Sequence, residues 1–132
     1  MDQIFSEQVK ELEVTVSITE EYIENIMNAV LEGGQWVIHK EEQAQWVEKP
    51  AGIYQDEWAA RLLLTGETLK LIDKRNENTI FLMTLDDLYN GIALIFKNGH
   101  HNGFSNTVTK TEADAIIQYS LFKKLPYLTY YY

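Results

Sequence analysis

The side chains able to do chemistry in this chain are few and poorly grouped. Its three histidines stand at positions 39, 100 and 101. A metal ion needs several ligands converging on one point. His100 and His101 are adjacent, so on an extended segment they point opposite ways. No metal or other cofactor is expected. The paired carboxylates Glu41-Glu42 and Asp86-Asp87 are neighbours in sequence. General acid–base work needs two carboxyls held apart across a substrate, with separated pKa values. Asp86-Asp87 instead reads as charge placed near the positive end of a helix. The serines, at 6, 17, 105 and 120, lie in no nucleophile-elbow context, and there is no cysteine. The glycines of "LEGGQW" lack the spacing and the lysine of a phosphate-binding loop. The expectation is a protein that is not an enzyme.

Aromatic residues and glycines carry more information. Trp36, Trp46, Trp58 and Tyr54 lie close together in the first half, and Tyr127, Tyr130, Tyr131 and Tyr132 close the chain. Tryptophan and tyrosine fill cores, and they also anchor interfaces and wall pockets. Gly33-Gly34 separates an apolar helical run from "QWVIHK". One glycine there, Gly33 by position, closes the helix in the left-handed conformation. The missing side chains then leave a niche beside Trp36, with His100 and His101 as further candidates to line it.

The chain has 132 residues, 45% of them hydrophobic, which suits one globular domain with a real core. No apolar run approaches the ~18 residues needed to span a bilayer. No secretory signal is visible at the N-terminus, and the cytoplasm is the expected compartment. The net charge of −9 is lopsided: residues 1–60 hold thirteen acids and three lysines, residues 61–132 seven acids and eight bases. Such a surface repels phosphate backbones and attracts basic partners, so neither nucleic acid nor membrane is an expected partner.

Several elements must position these residues. "EVTVSI" alternates as a strand over 13–18. Ser17 or Thr19 caps a helix over 19–32, Ser17 with Glu20 at capping-box spacing, burying Tyr22, Ile23, Ile26, Met27, Val30 and Leu31. "QWVIHK" reads as a strand, and Trp46-Val47 as a short strand or ordered loop. "YQDEWAARLLLTG" is a second helix stopped by Gly66, and "ETLKLIDKRNENTIFLMT" a hairpin turning at 74–78. "TLDDLYNGIALIFKNG" is a third helix, capped by Thr84 and ended by Gly99. "TKTEADAIIQYSLFKKL" is a fourth, with Thr109 and Glu112 at capping-box spacing. Without strict βαβ alternation, the expected class is a single α+β domain over 1–132. It has about four mainly antiparallel strands and about four helices packed on them. Residues 1–12 form an N-terminal arm and 125–132 a tyrosine-rich tail.

"LEGGQWVI", "TLDDLYNGI" and "TEADAIIQYSLF" occur in the order and spacing of three segments of a small, uncharacterised protein family of bacteriophages and prophages. The chain resembles that family over about residues 13–123. Members carry a helix ending E-G-G before an aromatic-rich strand, then a T-L-x-x-L-x-x-G-I/L helix. A final helix reads roughly T-A-D-x-x-I/L-Q-x-x-L/A-F. This chain departs from the pattern in having one aromatic after the glycines where the family has a Tyr-Trp pair, and in its tyrosine tail. The resemblance implies a phage accessory setting and assigns no catalytic residues.

The first functional expectation is a protein that binds and inhibits a basic host factor, such as an RNA-guided defence nuclease. Glu20, Glu21, Glu24, Glu41 and Glu42 would steer it, and Trp36 and Trp46 would anchor it. The alternatives are a small-molecule binder that sequesters a nucleotide signal at Gly33, Gly34, Trp36, His100 and His101, or a structural or assembly protein of the virion. A homodimer is compatible with each.

Overall fold

The computed structural model describes residues 17–39, 49, 51–98 and 107–127. Among these residues four helices and three strands follow in the order α1 (Glu20–Gly33), β1 (Trp36–Ile38), α2 (Gln55–Leu64), β2 (Leu69–Asp73), β3 (Thr79–Met83), α3 (Leu85–Lys97), α4 (Lys110–Phe122). The class is α+β. The sheet is antiparallel in the order β1-β2-β3, three strands among the described residues where the sequence suggests about four. Most of the strand expected over 13–18 falls outside the described residues, and Ser17–Thr19 is a non-strand lead-in to α1. The arm over 1–12, Trp46-Val47, the His100-His101 loop and the last five tyrosine-rich residues also lie outside them.

Each helix start is set by a hydroxyl or by backbone bonds that the sequence nearly gives away. At α1 the cap is Thr19, not Ser17: its Oγ1 accepts the Tyr22 N–H at 3.1 Å, satisfying an otherwise orphan donor. Thr84 caps α3 in a reciprocal box. Its Oγ1 accepts from Asp87 N at 3.2 Å while Asp87 Oδ2 accepts from Thr84 N at 2.9 Å. Asp87 is therefore a direct hydrogen-bond partner as well as a favourable charge at the helix start. Thr109 caps α4 through Glu112 N. The helix ends differ from expectation in detail. Gly34, not Gly33, takes the left-handed backbone, at φ 81°. α3 ends at Lys97 with Asn98 as its cap, the Asn98 side chain donating to Leu94 O at 3.0 Å; Gly99, expected to end this helix, lies outside the described residues.

Register fixes which side chains the sheet turns inward. Trp36 faces Asp73 across β1–β2, and Ile38 faces Leu71, which in turn faces Phe81. Period-two alternation therefore puts Trp36, Ile38, Leu69, Leu71, Asp73 and Met83 on one buried face. Leu69 and Leu71 are fully buried there, and so is the carboxylate of Asp73. The helical apolar stripes close on that face: Ile23, Ile26 and Met27 of α1, Trp58 and Leu63 of α2, Leu88 and Ile95 of α3, Ile116 and Ile117 of α4. α3 and α4 approach closely at Gly91. A Cβ there would overlap Ser120 Oγ and sit 2.6 Å from the Ile116 carbonyl oxygen. The hairpin turn over residues 74–78 holds Glu77 and Asn78 at φ 52° and 58°. Asn tolerates that conformation better than Glu does.

Candidate functional site

The most organised polar structure lies where β1, the hairpin turn and α4 meet. Asp114 projects from the second turn of α4 and accepts four hydrogen bonds. Its Oδ1 takes Trp36 Nε1 at 2.7 Å and Arg75 Nη2 at 2.7 Å. Its Oδ2 takes Arg75 Nη1 at 2.9 Å and Gln118 Nε2 at 3.1 Å. A carboxylate offers about four lone-pair sites. Asp114 is thus saturated, with no lone pair left to act as a base or to ligate a guest.

Asp73, at the end of β2, holds the other side of Arg75. Its Oδ1 accepts the Arg75 backbone N–H at 3.0 Å and lies 3.6 Å from Arg75 Nε. Its Oδ2 accepts the Tyr127 hydroxyl proton at 2.9 Å. The guanidinium packs over the Tyr127 ring, 4.1 Å from its centroid, and over the Trp36 ring at 5.6 Å. Cation–π attraction therefore adds to the two ion pairs. Tyr127 is fixed further by its backbone N–H, which donates to Gln118 Oε1 at 3.0 Å. Desolvation raises the Tyr127 phenol above its ordinary pKa; the Asp73 hydrogen bond and charge add to this, while Arg75 pulls the other way. Trp36 also touches Phe81 and Phe122, which meet edge-on at 5.1 Å.

Above this network lies an open cavity of about 360 Å³. Val30 and Gly33 bring the last turn of α1 to one wall, with Gln35 beside them; Lys110 and Thr111 bring the first turn of α4 to the other. Trp36, Arg75 and Asp114 form its floor. The two glycines divide the work at this corner. Gly34 adopts the backbone that reverses the chain. Gly33 keeps ordinary helical geometry, and a Cβ built on it meets nothing within 4 Å. Its lack of a side chain leaves the wall open.

The other expected site residues fare unevenly. Trp36 is 1% exposed, with its indole N–H committed to Asp114, so it is not a surface anchor for a protein partner. It is a large aromatic on the inward face of β1, buried beneath the cavity. Trp58 is buried too. Glu20 and Glu21 are exposed and Glu24 half-exposed on α1. Asn28 of α1 donates to Asp56 of α2 at 3.0 Å, so the acidic faces of the two helices adjoin. Tyr54, at the start of α2, is 80% exposed. Gly34 and Gly33 lie at the cavity corner, but only Gly33 is on its wall. Glu41, Glu42, Trp46, His100 and His101 lie outside the described residues. Among the described residues no three His, Asp or Glu side chains gather as a metal site would require, and no helix is long and apolar enough to cross a membrane.

Sequence reasoning missed Asp73, Arg75, Asp114, Gln118 and Tyr127. Three of them left a signal. Asp73 is in phase with Leu69 and Leu71, an acid on an apolar face. Asp114 and Gln118 are four apart, so they share a helix face among Ala113, Ile116 and Ile117. Comparison with protein-family models, with curated proteins and with solved structures returned no match.

Proposed function

We propose that this chain is a non-enzymatic binding protein that takes a small molecule into the cavity between α1 and α4. Its setting is that of a phage or prophage accessory protein sequestering a host ligand. One observation carries the reading: a cavity of about 360 Å³ stands open at Gly33 over a floor cross-tied by Asp114. That volume lies in the range of small-molecule sites, ~300–1,000 Å³. A saturated carboxylate suits a rigid floor better than acid–base chemistry. The test is thermal denaturation across a broad panel of metabolites, with Gly33→Phe beside the wild type. A ligand at 100 times its Kd stabilises the folded state by about 2.7 kcal/mol. The reading expects a stabilising ligand for the wild type whose effect Gly33→Phe abolishes; a flat response in both refutes it.

A second reading has its own support. Glu20, Glu21, Glu24, Asp56 and Glu57 edge the adjoining faces of α1 and α2, and Tyr54 stands exposed beside them. This arrangement suits docking on a basic host protein, such as a defence nuclease, with Tyr54 in the anchoring role that buried Trp36 cannot fill. Steering by these carboxylates makes association salt-dependent. An on-rate unchanged between low and high ionic strength removes it.

A further inference from the structure

The chemistry of the cavity walls narrows the ligand, on the assumption that the cavity is a binding site. The floor offers a guest little. Asp114 spends both oxygens on Trp36, Arg75 and Gln118, and Arg75 spends both terminal nitrogens on Asp114. The floor's one guanidinium is opposed by two carboxylates, Asp73 and Asp114, so it offers an anion no net attraction. Attraction must come from the walls. On the α4 side Lys110 is exposed and takes no part in the floor network, and Thr111, exposed as well, lines the same wall. On the α1 side, Val30 and Gly33 belong to a last helical turn, whose carbonyl groups lack intrahelical partners. The Gln35 amide adds a donor and an acceptor there. One wall is therefore cationic and the other rich in acceptors.

We infer that the cavity takes a small anion that also carries N–H donors. Its phosphate or carboxylate lies against Lys110 and Thr111, and its N–H groups face the end of α1. Nucleoside monophosphates and amino acids share this chemistry. The net negative charge of the chain as a whole favours an anion small enough to sit within the cavity over an extended polyanion.

The experiment is amide and indole NMR of the ¹⁵N-labelled protein, titrated separately with adenosine monophosphate, L-glutamine, inorganic phosphate, benzamidine and phenol. The inference expects adenosine monophosphate or glutamine to shift Gly33, Thr111 and the Trp36 indole; which of them does so assigns the anion to phosphate or carboxylate. Lys110→Glu, an acid at a helix start where it does not impair folding, is expected to weaken that binding at least tenfold. Lys110→Ala is expected to weaken it less. Benzamidine or phenol binding there while both amphoteric probes fail overturns the inference and leaves the cavity a binding site. An unchanged Kd in Lys110→Glu also overturns it, as does inorganic phosphate binding as tightly as adenosine monophosphate. Silence from all five probes counts against the binding function itself, and the inference falls with it.

Discussion

Replacing Asp114 with alanine tests whether the network beneath the cavity holds the fold together there. The substitution removes four hydrogen bonds at 2.7–3.1 Å, two of them from a guanidinium whose side chain is only 20% exposed. Breaking a fully buried ion pair costs about 3–5 kcal/mol, because the surviving partner is left uncompensated. Here Arg75 keeps Asp73 and some solvent, so the lower end applies, about 3 kcal/mol, which includes the orphaned Trp36 N–H. For a chain of this length that is a fall in Tm of about 10 °C. Urea denaturation followed by tryptophan fluorescence and far-ultraviolet circular dichroism measures it. A double variant, Asp114→Ala with Arg75→Met, removes the stranded cation as well. It is expected to be more stable than the sum of the two single losses implies. An Asp114→Ala protein within about 0.5 kcal/mol of wild type would refute the reasoning, since surface substitutions away from such features do no more than that. Simple additivity in the double variant would refute it too.

Three further outcomes follow from single contacts. Gly91→Ala should cost about 3 kcal/mol, because the new methyl meets the Ile116 carbonyl as well as Ser120; Ser120→Ala in the same chain should rescue it only in part. The corner glycines should respond oppositely to alanine, as equilibrium unfolding can read: Gly34→Ala, at φ 81°, should lose about 1 kcal/mol, while Gly33→Ala should be neutral or gain up to about 1 kcal/mol. Burial, helped by the charge on Glu112, pushes the Tyr22 phenol up to about 12 from 10.0. The unfolded chain then releases this proton first, so the stabilisation is whole below pH 10 and is lost as pH climbs through 12. The urea midpoint should fall across that window, and less steeply in Tyr22→Phe.

Much of the framework was legible because local rules and burial agree. The α1 stripe, the alternation of β2 and the capping threonines at 84 and 109 each satisfy a periodicity or an orphan donor within a few residues. The corner between α1 and β1 was legible for the same reason: a helix stop is followed at once by a strand. What was hidden is long-range. Trp36 pairs with Asp114 seventy-eight positions away, and Arg75 joins them from a turn whose composition says only that the chain reverses. A tryptophan in a short strand reads equally as core or as surface anchor until its N–H partner is known. Net charge, a property of the whole surface, was silent about the one lysine that the start of α4 places on the cavity wall.

The central claim is that Gly33 holds open a site for a small ligand. Native mass spectrometry of the protein purified gently from bacterial cells tests it most directly, with Gly33→Phe and Gly33→Ala prepared in parallel. The account predicts a small-molecule adduct on the wild type that survives in Gly33→Ala and disappears in Gly33→Phe. Identical spectra for wild type and Gly33→Phe, whether bare or carrying the same adduct, would contradict it.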